Sequence, residues 1–201
     1  LDNLNQDIPE KIISSRKKWL KQWSRKLTSE QIPITPYRVI GDFINNIDPN
    51  NTIVTHDSGS PRDQIMPFYK SGGPRTYIGW GKSHALGTGL GLIIGAKIAE
   101  PNKLAVNFMG DAAFGMTGLD FETAVRSNIP ILTIVLNNHT MAIETKQMKN
   151  HMNYTTQEVW VAIIQKWPNQ WVDGLNASQI HQKLSRQLFA PKKLPKMDRQ
   201  H

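Results

Sequence analysis

Short apolar runs rich in β-formers alternate with helical patterns along this chain, and that alternation restricts the fold more than any other feature. Asn51–Thr55 reads as a buried strand, Leu104–Met109 as a second and Ile131–Leu136 as a third, with Tyr77-Ile78-Gly79 as a shorter one. A helix is expected from Thr35-Pro36, where threonine caps and proline takes the first helical position, to about Ile47. Another starts near Leu86 in a glycine-rich stretch whose small residues permit close backbone packing, and a third covers Thr117–Arg126. Strands separated by helices at this spacing form parallel sheets, because a parallel pair needs a crossover connection. The expected fold is α/β, three-layered and doubly wound, with a mostly parallel sheet.

With 201 residues and 39% hydrophobic content, the chain can bury one compact core. It divides into a linker helix and lead-in over 1–34, a binding domain over 35–156 and a tail over 157–201. In the first part Ile12, Ile13, Trp19, Leu20, Trp23 and Leu27 alternate with Lys and Arg, as in an amphipathic helix packed on a domain surface. The formal charge is +8, but the tail carries seven Lys or Arg against three Asp or Glu, and the first helix supplies much of the rest. No basic stripe interleaved with aromatics crosses the middle, so a nucleic-acid partner is not expected. The longest apolar run, Leu90–Ile94, falls short of the roughly 20 residues of a membrane span, so no membrane partner is expected. The absence of cysteine excludes disulfides and thiolate metal sites and fits a reducing cytoplasm. A chain opening on Leu1 without methionine is read as an excerpt of a longer protein.

Ligands of parallel sheets bind beyond the carboxyl ends of strands. Two polar segments fall at such ends, Gly110-Asp111-Ala112-Ala113 and Asn137-Asn138-His139-Thr140. If their strands are neighbours, Gly110, Ala112 and Ala113 offer backbone N–H groups to a diphosphate at a helix N-terminus. Asp111 and Asn138 add hard oxygen donors for Mg2+, and the turn after Asn138 can aim a backbone carbonyl at it. A purely structural turn after the strand accounts for Gly110-Asp111 equally well.

Gly110-Asp111, then Phe114 and Met116, then Asn137-Asn138 with Asn138 lying 27 positions after Asp111, resembles the signature of thiamine-diphosphate enzymes of the acetolactate synthase and 2-oxoacid decarboxylase superfamily. The resemblance covers roughly residues 30–156. It implies thiamine diphosphate held through Mg2+, the metal taking Asp111, Asn138 and the backbone of Thr140. It implies that Leu86 props the cofactor into its bent shape and that the carbonyl of His84 accepts from the aminopyrimidine. The turn Asp57-Ser58-Gly59-Ser60-Pro61 resembles the family's diphosphate contact, giving Asp57, Gly59 and Ser60 as cofactor-binding, although Ser60 and Pro61 replace the usual Gln and His. Ala112 replaces a usual glycine and costs on the order of 1 kcal/mol if its φ is positive.

The implied reaction is decarboxylation or carboligation of a 2-oxo acid. The activating glutamate is expected on a pyrimidine-binding domain of the same or a partner subunit, within a homodimer or homotetramer; none of this sequence resembles that domain, so the chain alone is expected to be inactive. The alternatives are one chain of a two-chain decarboxylase and a non-catalytic cofactor-binding remnant, which Ala112, Ser60 and Pro61 favour. Arg62, Lys82, His84, His139 and Glu144 are weaker candidates for substrate contact.

Beyond about Thr156 the pattern ends, and Trp160, Trp167 and Trp171 fall close together. Back-translation from Gln157 in the frame starting at the third codon base permits R-G-L-G-G-N-Y and later G-G-W-A-E-R, which resemble the family's own continuation. Residues 157–201 are therefore expected to be out-of-frame or disordered sequence without a selected fold, the alternative being a genuine tail with a helix over Val159–Trp167. Reading the source DNA across codon 157 decides it: a missing or extra base is expected, and an unbroken frame contradicts it.

Overall fold

The computed structural model describes residues 8–79 and 85–141, together with the backbone of residues 160–165. The helices are α1 (Ile8–Leu27), α2 (Pro36–Asn45), α3 (Ser60–Ile65), α4 (Thr88–Ala99), α5 (Asp111–Thr117) and α6 (Leu119–Arg126); the strands are β1 (Thr52–His56), β2 (Tyr77–Ile78), β3 (Leu104–Gly110), β4 (Leu132–Asn137) and β5 (Trp160–Gln165). They form one sheet of order β2-β1-β3-β4-β5. The first four strands are parallel, and β5 lies antiparallel against β4.

Side chains alternate across this sheet as the two-residue period of a strand dictates. Val54, Val106, Phe108, Leu132, Ile134 and Leu136 face one helical layer, where they bury Val39, Ile40, Phe43 and Ile65 of α2 and α3. Ile53 and Ala105 face the other, against Leu90, Ile93 and Ala96 of α4 and Ala124 of α6. The three-layer expectation therefore holds. The crossover through α3 runs from β1 to β2 on one face, while those through α4 and through α5–α6 run the opposite way on the other. The winding direction thus reverses between β1 and β3, where an open α/β sheet leaves a crevice at its strand ends.

Thr35 caps α2 as expected, its hydroxyl accepting from the Arg38 N–H at 3.2 Å, with Pro36 at the first helical turn. The second half of α1 lies on the domain through Trp19, Leu20, Trp23 and Leu27, with Trp19 stacked on Phe68 at 5.1 Å between ring centroids. Three elements depart from the sequence reading. Ser60–Ile65 is helical where the sequence reading had a polar turn through Ser60-Pro61 and no element after it, because Pro61 in the first turn and the positive φ of Gly59 start a helix there. The helix expected from Thr117 begins at Asp111, with a junction at Gly118. Trp160–Gln165 is a strand, not part of the alternative helix; the remainder of 157–201 lies outside the described residues, as does the rest of the expected out-of-frame segment.

Tyr69 and Tyr77 stack at 5.8 Å, and their buried hydroxyls have no hydrogen-bond partner among the described residues. Burial, helped by the charge of Asp48, pushes the Tyr69 hydroxyl up to about 12 from its ordinary 10, and burial raises Tyr77 as well. A folded-state value above the unfolded one contributes stability that is whole below the unfolded value and is lost as pH rises toward the folded value. Urea midpoints are expected to fall from pH 10 to about 12. Midpoints that stay level across that range would contradict this account of the two hydroxyls.

Candidate functional site

Gly110 at the end of β3 pairs in register with Leu136 near the end of β4, so Asp111 and Asn138 leave neighbouring parallel strands side by side. The neighbourhood on which the metal reading depended is therefore present. One cavity of about 280 Å3 opens there. Gly59 and Ser60 line it, as do Leu86, Gly110, Asp111, Ala112, Ala113, Asn138 and Thr140. Of the expected site residues that are described, Asp57 alone is not part of its wall; His84 lies outside the described residues, as do Lys82 and Glu144.

Two helix N-termini meet at this cavity. The first turn of a helix leaves N–H groups without intrahelical acceptors and carries the positive end of the dipole. In α3 and α5 those turns begin at Gly59 and Gly110, and neither N-cap residue makes a side-chain cap hydrogen bond. Pro61, in the first turn of α3, stands against Gly110, since a Cβ built on that glycine meets the proline ring at 3.9 Å. An anion at the mouth therefore faces donors from both helices. Ala112 lies within α5 and has no positive φ, so the cost considered for it does not arise.

On the β4 side, two successive asparagine turns bend the chain. The Asn137 carbonyl oxygen Oδ1 accepts from the His139 N–H at 2.9 Å and Asn138 Oδ1 from the Thr140 N–H at 3.2 Å, with His139 at a φ of 55°. This bend returns Thr140 to the cavity wall while His139 stays exposed. Asn138 Oδ1 keeps a second lone pair for another partner. The Asp111 carboxylate and the Asn138 amide oxygen, with Thr140 beside them in the wall, are hard oxygen groups of the kind that fit Mg2+. Among the described residues no cluster of three His, Cys, Asp or Glu offers a competing metal site.

Asp57 acts at one remove from the cavity. Its fully buried carboxylate accepts from the Ser58 N–H at 2.7 Å and the Gly87 N–H at 2.9 Å through Oδ1, and from the Gly89 N–H at 2.8 Å through Oδ2. It thereby caps α4, which begins after Gly87. Gly89 is required by this closeness, because a Cβ there would stand 2.7 Å from Asn107 Oδ1 and 3.0 Å from Asp57 Oδ2. The clamp holds the chain beside Leu86, the residue before Gly87, which packs against Met109, Ala113 and Val135. The resemblance puts Asp57 on the diphosphate; its carboxylate here accepts from three N–H groups, two of them at the start of α4 beside Leu86. Arg62 pairs with Asp63 at 2.7 Å and does not line the cavity.

Sequence reading missed Pro36, Ser58, Pro61, Gln64, Leu136 and Met141 in the wall. Gln64 had no helical face while α3 was read as a turn, and Pro36 was read only for its part in starting α2.

Comparison with known proteins identifies the family. The profile of the thiamine pyrophosphate enzyme, C-terminal TPP binding domain, matches residues 57–182, a span that begins at the Asp57 clamp and passes residue 157. The chain is 28% identical over 151 residues to a 2-hydroxyacyl-CoA lyase of Arabidopsis thaliana, covering 67% of this chain and 26% of that protein. It is 26% identical over 155 residues to a probable acetolactate synthase large subunit of Methanococcus aeolicus, covering 70% and 25%. Against the mitochondrial acetolactate synthase catalytic subunit of Aspergillus candidus it is 33% identical over 133 residues, covering 64% and 19%. The chain thus spans about a quarter or less of each of these relatives. With more than half of its length matched by the family profile, the chain belongs to the thiamine pyrophosphate enzymes, as their C-terminal TPP-binding domain.

Proposed function

We propose that this chain is the diphosphate-binding half of an enzyme that decarboxylates or carboligates a 2-oxo acid. In this reading it holds Mg2+-thiamine diphosphate through Asp111, Asn138 and the backbone carbonyl of Thr140. The observation that supports the reading is that Asp111, Asn138 and Thr140 line one cavity at the ends of β3 and β4 together with the starts of α3 and α5. When bound, the cofactor supplies the nucleophilic carbon that adds to a substrate carbonyl and accepts the electrons of the broken C–C bond. The chain's own residues bind and orient: Asp111 offsets the charge of the metal, the N–H groups of Ala112 and Ala113 face the diphosphate, and Leu86 supports the rings.

A cavity of about 280 Å3 is at the lower limit for a site that encloses a whole small molecule, about 300 Å3, which suits one half of a divided site. The other half is a pyrimidine-binding domain of the same or a partner subunit, in a homodimer or homotetramer of the full-length protein, and a cysteine-free chain suits the cytoplasm. A second reading has specific support, because relatives in Arabidopsis thaliana, Oryza sativa and Saccharomyces cerevisiae are 2-hydroxyacyl-CoA lyases. In that case the enzyme cleaves a 2-hydroxyacyl thioester, and offering either substrate to the full-length enzyme separates the two.

The cofactor reading is tested by calorimetric titration of thiamine diphosphate into the chain, with Mg2+ and then with EDTA. Saturable one-to-one binding is expected with Mg2+ and at least about tenfold weaker binding without it. No binding, or binding indifferent to EDTA, supports an inert remnant of the fold.

A further inference from the structure

Gln64 sits one turn into α3, whose start forms one wall of the cavity, and its own side chain lines that cavity. Its Oε1 is buried and has no hydrogen-bond partner among the described residues. A buried amide oxygen left without a donor is costly, and native structures rarely keep one without a reason. The other buried orphans, Tyr69, Tyr77, Asn107 and Thr133, do not line the cavity; Gln64 alone among them does.

We propose that Gln64 is a contact residue for the diphosphate end of the ligand, its side-chain amide turning toward the cavity in the bound state to complete the hydrogen bond that its buried Oε1 lacks. This rests on the cofactor reading above. Helical spacing places Gln64 one turn below Ser60 and Pro61, and Pro61 touches the Gly110 end of the cavity, where the metal donors stand. A carboxamide suits that place. Its Oε1 accepts from a water on the metal, and turned over, its Nε2–H donates to a phosphate oxygen.

The test compares the chain as it stands with Gln64→Met, which keeps the length of the side chain and removes its polar atoms. Two probes are titrated in Mg2+, inorganic pyrophosphate and thiamine diphosphate, and thermal unfolding of the ligand-free chain is followed alongside. Affinity for both probes is expected to fall by a similar factor, about 10- to 100-fold, as for the loss of a hydrogen bond to a charged group. The ligand-free midpoint is expected to stay level or rise, because the variant removes an unsatisfied buried oxygen. Unchanged affinity for both probes overturns the proposal, as does a loss for thiamine diphosphate alone, which would move the contact to the rings. A lowered midpoint with affinity unchanged would make Gln64 structural. Asp111→Ala separates the two levels: if that variant loses binding while Gln64→Met retains it, the cofactor reading stands and only Gln64 falls. Should the unaltered chain bind neither probe, both fall together.

Discussion

Asp111→Ala is expected to weaken Mg2+-thiamine diphosphate binding by about 100-fold or more while leaving the fold almost untouched. Asp111 is the one formally charged group among the three proposed donors, and losing an ion-dipole or ion-ion contact to the metal on the order of 3 kcal/mol corresponds to about that factor. Its part in the fold is small by comparison. It is half-buried in the first turn of α5, where a carboxylate is worth about 0.3–1 kcal/mol through the helix dipole. Calorimetry and urea unfolding on the same preparation check both halves. Binding that survives the substitution would remove Asp111 from the site.

Asp57→Ala is expected to do the reverse, with its largest effect on stability. The substitution leaves the N–H groups of Ser58, Gly87 and Gly89 without their acceptor in a buried place. At about 1–3 kcal/mol for each buried unsatisfied donor, partly relieved by relaxation, the expected loss is about 4 kcal/mol. That is a large share of the roughly 5–15 kcal/mol that holds a domain of this kind together. Asp57→Asn retains one acceptor oxygen and is expected to lose less. Urea unfolding of the two variants measures the order, and a loss under about 1 kcal/mol for Asp57→Ala would show that the clamp contributes little. Any fall in cofactor affinity should follow the fall in stability, since Asp57 acts on the site by way of Leu86.

The sheet was legible because burial on both faces forces its strands to be apolar throughout, as Ile131–Leu136 shows. Their parallel direction followed from the helices between them, and the candidate site from the sheet, since Asp111 and Asn138 each stand directly after a strand. Two things were less legible. The helix Ser60–Ile65 hid behind turn-forming residues, because Gly59, Ser60 and Pro61 are as suited to a loop as to a helix start. With that helix went Gln64, which has a direction only once the helix exists. The role of Asp57 was hidden for another reason. A carboxylate after a strand resembles a ligand contact, but its partners here are N–H groups some 30 residues away in sequence, and no local pattern announces such a contact.

The most direct test of the central claim is a crystal structure of this chain grown with Mg2+ and thiamine diphosphate. The expected result is a metal about 2.0–2.1 Å from one carboxylate oxygen of Asp111, from Asn138 Oδ1 and from the Thr140 carbonyl, with the diphosphate against the first turns of α3 and α5. Density for the cofactor elsewhere on the chain, or a diphosphate in the cavity with the metal bound by none of these three groups, would contradict it.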